Sequence, residues 1–593
     1  MSIERNKSGA VWAAVEVGLI FAWLTNLMGT DSFHNVYILC AVLGVLCLAD
    51  NVQQGRMGRG GSRMGMALLA AAFSAATVVA NYPLFQPVTA LTNLFKAGCA
   101  LAGGFVLGYH VLLCGVNRLP VCGGATAATT KRNHPVRFFL VSFGAIGGFF
   151  LLYLFCVGYP GYLSTDSLNS LDQIRTGVFQ NNNPFWYTKF IEVWIRLGMA
   201  VFGEINAAVA VYSSAQILIM AACFAYGLVT LYQAGIPRGC IAFAFFVYTF
   251  LPYNITYSIT MWKDILFSGS ALLIVASLYR LLKGIGSSRG LNYVVFTLGS
   301  VGFCLMHTNG WYAYLVTAVI MGVLFFREHR KLLILMVIIL VLCWILINPM
   351  LAALGVGETD FVETLAVPFQ QIARVVAQGC EISGEEQEFL SEMFWLDRVE
   401  ELYSPEIVDP IKFEAMRPEG REFLADHFGD FVKTWLSIGA RYPGVYLEAW
   451  VELTKGFWNG GYYFWIYLAW TYPETSGIGG FEMDNLGKDL FDALFRYLEK
   501  PVILEPFYSI GLHVWLVVVC CFACAAKKRR ELLLTIPLLV LLVGLWVGTP
   551  VYAEYRYAYP VFTTFPVILF ATVFSGGEKK AGYLSEKRER GNV

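Results

Sequence analysis

The chain has 593 residues, 57% of them hydrophobic and 14% charged, and its 42 basic and 42 acidic side chains cancel to no formal net charge. That apolar excess excludes a disordered or ordinary soluble chain, and without a basic balance no nucleic-acid partner is expected. Apolar runs of about 20 residues recur along it, the length at which a helix crosses a bilayer, and they predict an all-α polytopic membrane protein.

Fourteen spans are predicted, near residues 10–28, 34–49, 64–81, 94–114, 137–157, 205–232, 239–257, 263–280, 291–307, 309–326, 331–348, 507–526, 531–548 and 557–575. The first run is long enough to span and lacks a small-residue cleavage site, so it reads as a span and not as a cleaved signal. With a cytoplasmic N-terminus, the inside segments hold 25 of the 42 basic residues, while the short outside loops at 29–33, 82–93 and 253–262 hold none. This is the positive-inside bias, and it places both termini in the cytoplasm. Most of the fourteen cysteines lie within apolar runs, where a thiol behaves as a small hydrophobe, and none has metal-ligand spacing.

The first four spans form an N-terminal accessory module, residues 1–114, in which Glu16 and His110 are the ionisable groups within spans and are expected to serve helix packing. A basic, Gly/Ala/Thr-rich cytoplasmic linker follows at 115–136; its CGGATAATTK lacks the second glycine of a phosphate loop. Seven further spans occupy 137–348, and the segment at 158–204 lies between the first two of them. It opens GYPGYLSTDSLNSLDQIRTGVF. There Ser164, Thr165 and Asp166 either cap the helix that Ser167 begins, or leave Asp166 as a general base held over the membrane. Asp172 is at helical spacing from Arg175 and reads first as a local ion pair. Residues 184–203 bring Lys189, Glu192 and Arg196 onto one helical face with aromatic and aliphatic side chains around it, the pattern of an interfacial helix.

Lys263, in MWKD, begins a span at the end where the helix dipole disfavours a cation. Either Asp264 beside it or a lipid phosphate supplies the anion. His307 and Asn309 fall in the turn MHTNG. Residues 349–505 hold 27 of the 42 acids against 11 bases and are expected to form a mainly helical extracytoplasmic domain, with the Trp/Tyr-rich stretch 457–470 at the membrane interface. Three spans at 506–575 and a basic cytoplasmic tail at 576–593 end the chain. Just before the last span, YAEYRYAYP sets Arg556 two residues from Glu554. Arginine suits bidentate phosphate binding; a Glu554 salt bridge, or anchoring by the neighbouring tyrosines, is the local alternative.

The pieces YPGYLSTDS at 159–167, MWKD at 261–264, HTNG at 307–310, VPFQQIARV at 367–375 and EYRYAYP at 554–560 resemble the GT-C fold glycosyltransferases, and more closely a bacterial membrane family near that class. The resemblance implies a seven-span core at 137–348 and a multi-pass plasma-membrane enzyme with its site on the extracytoplasmic face. It would move a hexosyl or pentosyl group from a polyprenyl-phosphate-linked sugar to a cell-envelope glycan or glycolipid acceptor. Asp166 then takes the place of the class's catalytic acid, as general base, with Asp172 the second choice. Lys263, Arg556 and His307 would hold the donor phosphate, supported by Asp264, Asn309 and Glu554. No cofactor is assigned: six residues set Asp166 and Asp172 roughly 120° apart around a helix, which does not support a divalent metal site. The alternatives are a polysaccharide polymerase or ligase, and a transporter or flippase of lipid-linked saccharides. Transporters gather ionisable residues and broken helices near the midplane, whereas these gather at the outer face.

Overall fold

The computed structural model describes residues 2–28, 34–54, 63–118, 133–286, 288–393, 396–462 and 504–574. The linker stretch CGGATAATTK, residues 463–503 of the acidic insertion and the basic tail lie outside them. Among the described residues every regular element is helical, as the apolar runs predicted. Eight helices are long and apolar enough to cross a membrane, or nine if Arg238–Phe250 and Pro252–Ile259, bent by 48°, make one span. Length therefore supports fewer than the fourteen expected spans. Val11–Leu27, Gly310–Phe325, Ile510–Ala526 and Ile536–Gly548 are shorter apolar helices, and at 1.5 Å per residue a 17-residue helix reaches about 25 Å against a hydrocarbon core of about 30 Å. Some apolar runs are partly spent on turns: Pro252 starts a new helix straight after Leu251, and a 3-10 turn, Arg530–Leu534, precedes Ile536.

Helices α1 (Ser2–Leu27), α2 (His34–Gln53), α3 (Arg63–Ala80) and α4 (Leu91–Arg118) pack on one another around Trp23, Tyr37 and Leu107. Glu16 and His110 meet at 3.5 Å, and Asn51 donates to the His110 carbonyl at 3.1 Å, so these polar groups meet across α1, α2 and α4. Tyr37 and Asn81 of this module bond Asn459 and Tyr462 at 3.0 and 2.9 Å, tying it to the far end of the insertion.

The core follows as α5 (Pro135–Cys156), α6 (Thr165–Thr176), α7 (Phe185–Phe202), α8 (Ile205–Gln233), α9 (Arg238–Phe250), α10 (Pro252–Ile259), α11 (Lys263–Lys283), α12 (Arg289–Leu305), α13 (Gly310–Phe325) and α14 (Arg330–Ile347). Helix α11 is its axis, apolar and enclosed along nearly its whole length. At its C-terminal end Arg280 is buried and donates to Asn292 of α12 at 2.8 Å and to Thr230 and Gln233 of α8 at 3.3 and 2.6 Å. Those neutral acceptors offset part of the cost of desolvating the guanidinium and lock three helices together.

The insertion is a run of short helices, α15 (Pro349–Ala353), α16 (Ala366–Ala377), α17 (Gly384–Ser391), α18 (Val399–Leu402), α19 (Asp409–Ala415), α20 (Pro418–Asp426), α21 (Phe428–Arg441) and α22 (Pro443–Thr454). It has its own core of Val362, Phe369, Ile372, Leu390, Ile411 and Phe431. The chain then ends its described part with α23 (Glu505–Tyr508), α24 (Ile510–Ala526), α25 (Ile536–Gly548) and α26 (Tyr555–Phe574). Helix α26 lies along α11, where Thr563 donates to the Ser268 carbonyl at 3.2 Å.

Three isolated bridges between distant segments position the site: Tyr162 with Thr260, Gln180 with Gly357, and Ile407 with Val551. In the first, the Tyr162 N–H donates to the Ile259 carbonyl and the Met261 N–H to the Tyr162 carbonyl, both at 2.9 Å. The approach requires glycine at 161, which has φ +128° and where a Cβ would lie 2.2 Å from Ser213 Oγ. Gln216 of α8 holds the other strand, donating to the carbonyls of Tyr257, Ser258 and Thr260 at 3.2, 2.9 and 2.8 Å.

Candidate functional site

The bridge between Tyr162 and Thr260 sets the N-terminus of α6 beside that of α11, and so Asp166 beside Lys263 and Asp264. Ser164 is the N-cap of α6, and Ser167 Oγ accepts the Ser164 N–H at 2.9 Å while donating to the Met261 carbonyl at 2.7 Å. With these serines at the helix start, Asp166 is left to other partners: its Oδ2 accepts from Arg556 Nη1 at 2.6 Å. Protein atoms crowd Asp166 on most sides, yet 37% of its side chain stays accessible to solvent.

Lys263 donates to Asn183 Oδ1 at 3.2 Å, and Asn183 in turn donates to the Asp166 carbonyl at 3.1 Å. Asp264, 1% exposed, pairs through Oδ1 with His307 Nε2 at 3.4 Å. His307 Nδ1 accepts the Asn309 N–H at 3.1 Å, which leaves the imidazole proton on Nε2, facing Asp264. The other carboxylate oxygen of Asp264 is buried without a hydrogen-bond partner.

The fourth contribution comes from the turn before α26. The Tyr552 N–H donates to the Glu406 carbonyl at 2.7 Å and the Val408 N–H to that of Pro550 at 3.0 Å, so the insertion holds this turn by its backbone. Ala553 is left-handed, with φ 48°, and a Cβ on Gly456 would fall 2.1 Å from Ala553 Cβ. A non-glycine residue in that conformation marks local strain that its surroundings sustain. The turn delivers Glu554, largely buried, and Arg556, whose guanidinium lies 4.9 Å over Trp262 and 5.1 Å over Tyr557. Arg556 Nε is 3.6 Å from Glu554 Oε1 and is itself buried without a hydrogen-bond partner.

The two carboxyls outside the spans are driven apart. Burial raises the Asp166 carboxyl, but Arg556, Lys263 and more distantly Lys412 outweigh it and bring it down to about 2. Burial raises Glu554 too, and although Arg556 opposes this, Asp264 and Asp166 add to it and the carboxyl is pushed up to about 7.

Of the residues singled out in the sequence, Asp166, Lys263, Asp264, His307, Asn309, Glu554 and Arg556 thus come together. Asp172 does not join them: it forms an exposed pair with Arg175 at 2.6 Å, which is the local reading of its spacing. Asn183, Trp262, Tyr557 and Lys412 were missed as parts of the site. Trp262 stood in the quoted MWKD, and Asn183 in a run of three asparagines, but no spacing ties either to Asp166 or Arg556. Lys412, of α19, is buried with Glu363 at 2.6 Å and Asp409 at 2.8 Å. Among the described residues no three His, Cys, Asp or Glu side chains form a metal-ligating group.

The family described as "Family of unknown function (DUF6020)" matches residues 173–590, and the chain belongs to it. The match takes in Lys263, His307, Glu554 and Arg556 and begins shortly after Asp166. No curated protein and no solved structure matches the chain.

Proposed function

We propose that this DUF6020 chain is an integral membrane glycosyltransferase, moving a sugar from a polyprenyl-phosphate carrier to a cell-envelope acceptor at the extracytoplasmic face of the plasma membrane. In this reading the bent pair, the four shorter apolar helices and α12 bring the eight long helices to fourteen spans, both termini are cytoplasmic, and the insertion at 349–505 is extracytoplasmic. One observation carries it: Lys263 and Arg556 converge on the accessible Asp166 from segments up to 390 residues apart in sequence. Glycosyl transfer needs that combination, a base for the acceptor hydroxyl and fixed positive charge for the departing phosphate.

Asp166 is the base. Its pairing with Arg556 keeps it ionised but weakly basic; a phosphate that engages Arg556 draws positive charge away and raises its basicity when the donor is in place. Lys263 and Arg556 hold the phosphate, since the guanidinium gives Asp166 only Nη1 and its Nη2 makes only a long bond, 3.4 Å, to the Tyr557 hydroxyl. His307 orients through Asp264 and supports the same charge. The cluster sits at helix ends, at the starts of α6, α11 and α26 and just past α12, where a headgroup would lie and where a transporter's midplane site would not.

The test is co-purification. Mass spectrometry of lipid extracted from the full-length protein should find polyprenyl phosphate or its glycoside, depleted at least about tenfold in Lys263→Gln and Arg556→Gln, taking about 1.5–3 kcal/mol for a hydrogen bond to a charged group. Equal lipid in the parent and both variants would overturn the assignment of the phosphate site.

A further inference from the structure

The site holds three carboxylates, and its cations are unequally shared among them. Arg556 gives its short contact to Asp166, at 2.6 Å. Lys263 is turned to Asn183 and His307 to Asp264. Among the described residues, Glu554 keeps only the longer approach to a cation, 3.6 Å from Arg556 Nε, while its side chain is 10% exposed. It stands on the one left-handed alanine of the chain's described part, in a turn pinned by Glu406 and Gly456. A strained turn that buries a carboxyl against an arginine, and gives that arginine's best contact to another acid, is a costly arrangement for a residue with only a supporting role.

We propose that Glu554 is the acid of the site, carrying a proton to the carrier phosphate as the sugar leaves. This rests on the glycosyl-transfer reading above and assigns the second half of its proton balance. The acceptor oxygen bonds to the anomeric carbon, and the bond from that carbon to the phosphate oxygen breaks, its electron pair leaving with the phosphate. The acceptor's proton goes to Asp166, and the proton of Glu554 goes to the phosphate oxygen. Asp166, 37% accessible, then gives its proton to solvent and Glu554 takes one up from solvent, so the enzyme is unchanged and the carrier departs as its hydrogen phosphate. Acid and base are thereby told apart by surroundings, as in other sites where two like groups are held at opposite protonation states.

The charged and titratable groups around Glu554 are Asp166 of α6, Tyr257 of α10, Asp264 of α11, and Arg556 and Tyr557 of α26, while Lys263 and His307 act on Asp264. Burial disfavours the charged form most, and with the two aspartates adding to it outweighs the single shared arginine and keeps a proton on Glu554 up to about pH 7.

The experiment uses the full-length protein in lipid nanodiscs, with undecaprenyl phosphate as probe. Infrared difference spectra across neutrality should show the carbonyl stretch of a protonated carboxyl that titrates near pH 7 in the parent and in D166N and is absent in E554Q. Affinity for the probe should fall as pH rises through that midpoint, by up to about tenfold per pH unit if the protonated form is required, and this fall should flatten in E554Q. E554D should restore a titrating band at a shifted midpoint; it also serves if E554Q does not insert. A band that persists unchanged in E554Q overturns the assignment to Glu554 alone. Failure of the parent to bind the probe at any pH, with the Glu554 band present, overturns the carrier-phosphate reading and with it the destination of the proton.

Discussion

Asp166 and Glu554, the two carboxyls of the site outside the spans, make opposite demands on pH, and single substitutions separate them. Asp166 is not the N-cap of α6, a role held by Ser164, so Asp166→Asn costs no cap. It should leave the protein inserted while lowering transfer by about 10²–10⁴, the usual contribution of a catalytic base; transfer at the parental rate would return Asp166 to a structural ion pair with Arg556. The folded-state carboxyl lies at about 2, below its unfolded value near 3.9. Its contribution to stability is therefore complete above about pH 4 and is lost as pH falls through about 2. Glu554 runs the other way. With its folded value raised to about 7 against about 4.3 unfolded, its burial is favourable at acid pH and becomes a penalty that grows from about pH 4 to about pH 7 and is constant above. Glu554→Gln, a neutral isostere, should accordingly raise the thermal midpoint above the parent's at pH 8, with the difference vanishing at pH 4; a lowered midpoint at pH 8 would mean that the carboxylate is held ionised.

At the scale of elements, the bridge between Tyr162 and Thr260 is the device that joins the N-termini of α6 and α11. Gly161 is its weakest point. Alanine there must adopt φ +128° and place its Cβ 2.2 Å from Ser213 Oγ, which should cost about 1–3 kcal/mol from strain and overpacking together. Gly161→Ala should lower the thermal midpoint, and the double variant with Ser213→Ala should recover the steric part but not the backbone part. Full recovery in the double variant would show that the φ requirement is not limiting. Helix α7 illustrates a different balance. Lys189, Glu192 and Arg196 form a chain of pairs at 2.7 and 2.6 Å, while Val193, Leu197, Val201 and Phe202 stand exposed beside the buried face on α8. That mixed, half-apolar outer surface suits a helix lying in a membrane interface.

At the scale of the whole molecule, the proposed orientation puts the insertion on one side of the membrane and the turn between α11 and α12 on the other. A cysteine at Glu385, exposed on α17, should react with a membrane-impermeant reagent in intact cells, in a background freed of native thiols. One at Gly290, exposed at the start of α12, should not. Labelling of Gly290 alone would invert the orientation and move the site to the cytoplasmic face, and labelling of both would put the two segments on one side and overturn the span count. The insertion also has a structural part in the site, since its backbone pairs with the turn carrying Glu554 and with residues 179–182 near Asn183.

What the sequence determined by itself is what depends on short range. Apolar run length gave the helical membrane class, and the spacing of Asp172 and Arg175 gave an ion pair that forms as read, because residues three apart share a helix face. The charges at Lys263, His307 and Arg556 stood out because a basic group beside an apolar span is conspicuous in any local reading. Tertiary structure alone decided their partners. Sequence proximity offered Glu554 to Arg556, and that pair forms at 3.6 Å, but the guanidinium gives its short contact, 2.6 Å, to Asp166, 390 residues away. The same holds for Asn183, Trp262 and Lys412, which lie near the acids only because backbone bridges and the packing of α11 on α26 fold distant segments together. The protonation states follow from that packing: composition fixes how many carboxyls there are, and their burial, with their distances from Arg556 and from one another, sets which is left ionised and which keeps its proton.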